Sequence, residues 1–333
     1  MFENKTILIT GGTGSLGQAL TKKLLTLPIK GIRLLSRNEG AQVEMQRRFI
    51  DHEKKLSFFI GDIRDYSRLT RALEDVDIVF HTAALKHVPV IEYNPFEAVK
   101  TNVIGTQNII DACLEQDVEK VIGIGTDKAV SPLNTYGASK LLMEKIFVTA
   151  GNFMNPKRHR TKFITLRYGN VFGSSGSVVP LWINQIKNKD KISITDQKMT
   201  RFSIMMDEAL DFILSAATLG QGSEIFVPKI SAYTIMDLKN ALTELLSDTE
   251  YQITGIRSGE KLHEILINQD EMRYSWEFND NYVIFNPMLS ESEIEKKYPG
   301  IKKVENVNEF SSDIAKKIPT NKLKELIRES GLL

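Results

Sequence analysis

Thr6-Ile7-Leu8-Ile9-Thr10-Gly11-Gly12-Thr13-Gly14-Ser15-Leu16-Gly17 decides the fold. Its first five residues are a short apolar run closed by glycine, the pattern of a strand covered on both faces. Beyond the glycines, Leu16, Ala19, Leu20 and Leu24 recur on one side of a helix. Between strand and helix the glycines fall as Gly-x-Gly-x-x-Gly (Gly12, Gly14, Gly17) and as Gly-x-x-Gly-x-x-Gly (Gly11, Gly14, Gly17). Glycine permits the tight turn and the close approach of backbone to a pyrophosphate, and the last glycine lets helix and strand pack closely. The helix N-terminus adds free N–H groups and a partial positive charge. The segment is expected to cradle a dinucleotide through Gly11, Thr13, Gly14, Ser15, Leu16 and Gly17.

Outward from this turn the same alternation continues. Ile32–Leu35, Leu56–Ile60, Asp77–Phe80, Lys120–Ile124 and Phe163–Leu166 read as further strands, most of them separated by helical stretches. That pattern predicts an α/β fold, a Rossmann-type doubly wound parallel sheet with right-handed crossovers. The regularity fades after Gly169–Ser177, a stretch rich in Gly, Ser and Asn. Residues 1–170 are therefore assigned to a nucleotide-binding domain, with segments around 201–230 returning to it. Residues 171–200 and 231–333 are assigned to a smaller substrate-binding domain and a tail of solvated helices, packed against the carboxyl edge of the sheet.

The 333 residues are 42% hydrophobic and 26% charged, as in an ordinary globular protein. Lys+Arg (43) and Asp+Glu (42) leave a formal net charge of +1, so no overall field draws in nucleic acid or an anionic membrane. No apolar run reaches the roughly 20 residues of a membrane span, and the first residues lack the basic start and apolar core of a signal peptide. The single cysteine, Cys113, cannot form an intrachain disulfide and suits a reducing compartment, so a cytoplasmic location is expected. The five histidines show no metal-ligand spacing, so no metal is expected.

The end of the second strand bears on the cofactor. NAD-selective folds usually place an acidic residue there, whereas this chain has Ser36-Arg37. A guanidinium with no carboxylate to repel a 2′-phosphate favours NADP over NAD. Asp62, in Gly61-Asp62-Ile63, follows the third strand and could reach the adenine, and Ala83 and Ala84 follow the fourth and would let the cofactor pass. Tyr136 and Lys140 stand at i and i+4, on one face of a helix. An ammonium beside a phenol lowers the phenol pKa from about 10, so Tyr136 is expected as a base for a hydroxyl proton. Upstream, Thr126-Asp127-Lys128 sits at the carboxyl end of the fifth strand, the usual edge for chemistry in such sheets.

With these residues the sequence resembles the extended short-chain dehydrogenase/reductase family. Within it, Thr-Asp-Lys is similar to the inverting UDP-N-acetylglucosamine 4,6-dehydratases of the pseudaminic acid type, where retaining hexose dehydratases carry Thr-Asp-Glu. The resemblance extends through Ala83–Pro89, Glu92–Pro95, Arg167–Val171, Gly176–Pro180, Ile194–Asp196, Met199–Phe202, Ile225–Lys229 and Gly255–Glu264. It departs at Ser175, where the family often has Arg, and at Ser258, where it usually has Pro. The resemblance implies that C4 of the sugar is oxidised by bound NADP, with Tyr136 as base and Lys140 in support. It further implies that Thr126 holds the C4 oxygen, Lys128 takes the C5 proton and Asp127 protonates the departing C6 hydroxyl. As a base Lys128 needs its pKa of about 10.4 lowered. Lys86 is expected near both cofactor and sugar. Arg201 and Arg257 are expected on the diphosphate, with Asn170, Ser177, Val178, Thr195 and Glu260 as further substrate contacts. A UDP-sugar is the expected partner, together with further copies of the chain as a dimer to hexamer. The rivals are a UDP-sugar 4-epimerase, a retaining dehydratase and an NADP-binding regulatory protein without catalysis.

Overall fold

Alternate residues of the first strand face opposite ways, and both sides find apolar cover. Ile7 and Ile9 join Leu20, Leu24, Ile122 and Phe226 in one core layer, while Leu8 joins Val79, Val121, Phe147 and Phe163 in another. The computed structural model describes residues 1–155, 157–174, 177–305 and 308–333. In chain order its strands are β1 (Thr6–Thr10), β2 (Gly31–Ser36), β3 (Leu56–Ile60), β4 (Ile78–His81), β5 (Lys120–Ile124), β6 (Lys162–Leu166), β7 (Asn170–Val171), β8 (Ile192–Ile194) and β9 (Thr200–Ile204). They continue with β10 (Glu224–Pro228), β11 (Ala232–Thr234), β12 (Tyr251–Ile253), β13 (Ile265–Ile267), β14 (Ser275–Phe278), β15 (Asn281–Phe285), β16 (Lys302–Lys303) and β17 (Phe310–Ser311).

The main sheet has ten strands in the order β16-β14-β15-β10-β6-β5-β4-β1-β2-β3. From β3 to β10 all pairings are parallel. The chain order reverses between β1 and β4, which opens a crevice at the carboxyl ends of the strands. The glycine turn leaves β1 at that crevice, and Thr82-Ala83-Ala84 leaves β4 beside it. The α/β doubly wound expectation is met, and β10 joins the main sheet beside β6.

The division at residue 231 is corrected. β14, β15 and β16 extend the same sheet antiparallel, so residues 275–303 build the nucleotide-binding layer as well. The smaller core takes Phe172, Trp182, Ile192 and Ile194 from one stretch, Tyr233 and Leu238 from a second, and Leu323 and Ile327 from the tail. The tail helix Thr320–Glu329 therefore packs an apolar stripe inward instead of standing free in solvent. No helix among the described residues is long and apolar enough to cross a membrane.

Candidate active site

One cleft of about 1560 Å³ runs from the glycine turn, past the end of β5, to the smaller core. It exceeds the roughly 300–1,000 Å³ that one drug-sized ligand fills, so it has room for two. At one end lie Gly11, Thr13, Gly14, Ser15, Leu16 and Gly17, with Ser36, Arg37, Asp62, Ile63, Ala83 and Ala84 along the wall. A Cβ on Gly17 would stand 2.6 Å from the Gly12 carbonyl oxygen, so only glycine lets the helix start against the turn. This cradle fits a dinucleotide pyrophosphate. Arg37 is exposed, 3.8 Å from Asp62, whose carboxylate already pairs with Arg64 at 2.7 Å. The Ser36 hydroxyl is buried and accepts from Gln42 at 2.9 Å.

The catalytic candidates meet at the middle of the cleft. After β5 the chain makes one short 3-10 turn, Asp127–Ala129, tied back by Asp127 N–H donating to the Tyr168 carbonyl. The helix Thr135–Phe153 starts at Asn134, whose side chain accepts from Gly137 N–H at 2.8 Å. A Cβ on Gly137 would lie 2.2 Å from the Lys128 carbonyl oxygen, so this glycine lets the helix press against the catalytic turn. Asp127 is fully buried; its Oδ1 accepts from the Thr126 hydroxyl at 2.9 Å and from Lys128 Nζ at 3.0 Å, while its Oδ2 has no partner among the described residues. Lys128 Nζ also donates to Asn170 Oδ1 at 3.1 Å. Thr126, Lys128, Tyr136 and Lys140 line the cleft, and Asp127 stands directly behind them.

Three electrostatic expectations change. Burial works against the Lys128 ammonium, but Asp127 and Glu264 outweigh it, so the lysine pKa is raised and the resting side chain is charged. Lys140 does not act on the phenol as expected. Its ammonium donates to the Ile124 carbonyl at 2.5 Å and to Met143 Sδ at 2.9 Å, and burial brings its pKa to about 8. The Tyr136 phenol is held above its ordinary value by burial, with Lys128 and the Thr126 hydroxyl pulling the other way. The cation that favours its phenolate is Lys128, because the turn carrying it folds onto the helix start.

The substrate candidates divide. Lys86 stands exposed on the cleft lining, which Thr195, Ser177 and Val178 share. Ser177 Oγ is buried without a partner among the described residues. Ser175 and Gly176 lie outside the described residues. Arg257 reaches into solvent, 3.8 Å from Glu260. Arg201, expected as a diphosphate ligand, lines the cleft, and its terminal nitrogens are also engaged within the chain. Its two terminal nitrogens donate to the carbonyls of Thr200, Leu262 and Lys261 and to Glu260, because β9 and the loop before β13 close around it. Residues missed from sequence include Glu264, a buried carboxylate near Lys128 that closes one of the quoted runs, and Asn102. The latter sits in the π-turn Val99–Ile104, accepts from Leu85 N–H at 2.9 Å and donates to Ser139 Oγ at 2.9 Å, fixing the helix that carries Tyr136.

Known proteins resemble this chain. The family described as polysaccharide biosynthesis protein matches residues 7–286. A UDP-N-acetylglucosamine 4,6-dehydratase (inverting) of Campylobacter jejuni is 47% identical over 314 residues, 93% of this chain and 88% of that one. A UDP-glucose 4-epimerase of Rickettsia conorii is 41% identical over 334 residues, 98% of this chain and 96% of that one. The X-ray structure of Pen from Bacillus thuringiensis superposes with a TM-score of 0.91 at 36% identity, covering 100% of this chain and 99% of that one.

Proposed function

This chain belongs to the polysaccharide biosynthesis protein family, and from that premise we propose that it is an inverting 4,6-dehydratase of UDP-N-acetylglucosamine. One observation carries the reading: the Lys128 ammonium lines, with Thr126 and Tyr136, a cleft that begins at a dinucleotide cradle, and the buried Asp127 carboxylate stands 3.0 Å from it. The C5 proton of a hexose is not acidic until C4 is a ketone. Bound along the glycine turn, the nicotinamide of NADP would supply that oxidation by taking the C4 hydride and later returning it at C6. Gly11 to Gly17, Ser36, Arg37, Asp62, Ile63, Ala83, Ala84 and Lys86 would hold the cofactor.

The chain's own residues supply the proton transfers. Thr126 would hold the C4 oxygen, and Tyr136, acting as the phenolate that Lys128 favours, would take the C4 hydroxyl proton. Moving one proton from Lys128 to Asp127 along their hydrogen bond leaves a neutral amine and a neutral carboxyl, the two forms the elimination needs. The amine then takes the C5 proton, and the carboxyl protonates the C6 hydroxyl as water leaves. Both groups end the elimination in their starting charge states; when the hydride returns at C6, C5 takes one proton from the opposite face, which balances the proton given up by the C4 hydroxyl. Arg257, Asn170, Ser177, Val178, Thr195 and Glu260 would line the substrate. Self-association suits the exposed aromatic residues Tyr93 and Phe96, and a cytoplasmic place in surface-glycan or pseudaminic acid synthesis fits the family.

A UDP-sugar 4-epimerase is the second reading, supported by the 41%-identical relative. That reaction removes no C5 proton and leaves the Asp127–Lys128 pair without work. Incubation with UDP-N-acetylglucosamine in deuterated water separates the two by proton NMR. The dehydratase gives a 4-keto product with a new C6 methyl, deuterium at C5 and inverted configuration there. A C4 epimer without a methyl establishes the epimerase, and no turnover leaves a binding protein.

Arg37→Ala tests the cofactor. Loss of a charge-assisted contact of about 1.5–3 kcal/mol weakens NADP binding about 10- to 100-fold in a fluorescence titration and leaves NAD binding nearly unchanged. Equal weakening of both overturns the assignment.

A further inference from the structure

Two carboxylates act on the Lys128 ammonium. Asp127 Oδ1 is 3.0 Å away, and Glu264 Oε1 approaches to 3.8 Å from the segment before β13. Glu264 Oε1 is also 3.8 Å from Arg201 Nε. The Glu264 side chain is almost fully buried, and its Oε2 has no hydrogen-bond partner among the described residues. Burying a carboxylate oxygen without a donor is costly, so this group is not explained by hydrogen bonding alone. Its backbone is fixed on both sides: Glu264 N–H donates to Ser312 Oγ at 2.8 Å, and Ser312 N–H donates to the Glu264 carbonyl at 2.7 Å. Ser312 Oγ in turn meets Thr200 Oγ1 at 2.6 Å, next to Arg201. The carboxylate is thus built into a rigid wall and aimed at two cations.

We propose that Glu264 is a positioning residue that holds the Lys128 ammonium against Asp127 and Asn170 until the sugar is seated, and that Arg201 keeps Glu264 in place. This rests on the dehydratase reading above and gives Arg201 a part other than diphosphate binding. The groups that act on Lys128 are Asp127 from its own turn, Tyr136 from the helix, and Glu264 from the β13 side, with Asn170 as a neutral acceptor. Tyr233 from β11 and Lys261 feel its charge as well. Burial disfavours the ammonium, and after Asp127 the Glu264 carboxylate does most to restore it. Removing that one charge makes the lysine surrender its proton at lower pH, whereas a merely structural glutamate would leave the pH dependence where it was.

The test uses the full-length enzyme. Single-turnover exchange of the C5 hydrogen of UDP-N-acetylglucosamine is followed by NMR across pH in wild type, Glu264→Gln and Glu264→Asp. An opposite charge at this range typically moves a pKa by about 1–3 units, so the alkaline limb, where the Lys128–Asp127 pair loses its shared proton, should lie at least about one pH unit lower in Glu264→Gln than in wild type. Glu264→Asp, which keeps the charge farther away, should move it the same way by less. UDP affinity should stay within about twofold. A Glu264→Gln limb that coincides with wild type overturns the proposal, whatever happens to the maximal rate. Should Glu264→Gln not fold, an unmoved limb in Glu264→Asp overturns it instead. If wild type itself exchanges no C5 hydrogen, the dehydratase reading fails, and the fault does not lie with Glu264.

Discussion

Lys128→Met abolishes C5 exchange to the extent that general-base catalysis contributes, about 10²- to 10⁴-fold, while UDP and NADP still bind. Methionine fills a similar volume without an amine. Asp127 then loses the ammonium at its Oδ1, while its Oδ2 has no partner among the described residues. Nothing would take the C5 proton. Lys128→Arg sharpens the result. A guanidinium keeps the positive charge between Asp127 and Glu264 but does not deprotonate in proteins, so it preserves the electrostatics and loses the base. Exchange measured by NMR in deuterated water should be lost in both variants. If Lys128→Arg exchanges C5 within tenfold of wild type, the charge of this residue matters and its proton transfer does not.

That distinction rests on what the sequence could and could not reveal. The strands from β1 to β6 were legible because each is a short apolar run buried on both faces, and a parallel sheet demands that pattern. The glycine turn and the run Thr126 to Lys128 could be placed at one cleft from the sequence because each sits in a short stretch that leaves a strand end. The partners of Lys140 and Arg201 were not legible. Lys140 turns from the phenol to a main-chain carbonyl at the end of β5, a choice made by the packing of helix on sheet. Arg201 is an arginine in a strand, and only the closure of residues 260–262 over it engages its terminal nitrogens across the fold. Glu264 meets Lys128 across more than a hundred residues of sequence, and no local spacing encodes such a contact. That β14 to β16 extend the main sheet escaped for a related reason. They are antiparallel additions at a sheet edge, reached by short turns, and carry none of the strand-helix alternation that marks the rest.

Arg167→Met should cost about 3–5 kcal/mol of stability, the largest loss expected from any single change away from the cleft. Arg167 is fully buried where the chain leaves β6. It donates to Glu144 Oε2 at 2.6 Å, to the Glu271 carboxylate at 2.9 and 3.0 Å, and to the Leu266 carbonyl at 2.8 Å. One guanidinium thus joins the helix that carries Tyr136 and Lys140 to the segment that follows Glu264. Removing it leaves two carboxylates in the interior without their cation. For Glu144, burial raises the pKa, and Arg167, followed by Lys140, pulls the other way. A group whose folded pKa is raised contributes stability while protonated and loses it as pH rises through that value. The deficit of Arg167→Met should therefore be smaller near pH 5 and full at pH 8, read from urea midpoints at the two values. Adding Glu144→Gln and Glu271→Gln should recover much of the loss at pH 8, because no unpaired charge then remains buried. A single variant as stable as wild type at pH 8, or a triple variant no better than the single, would show that the network does not hold the catalytic helix to the sheet.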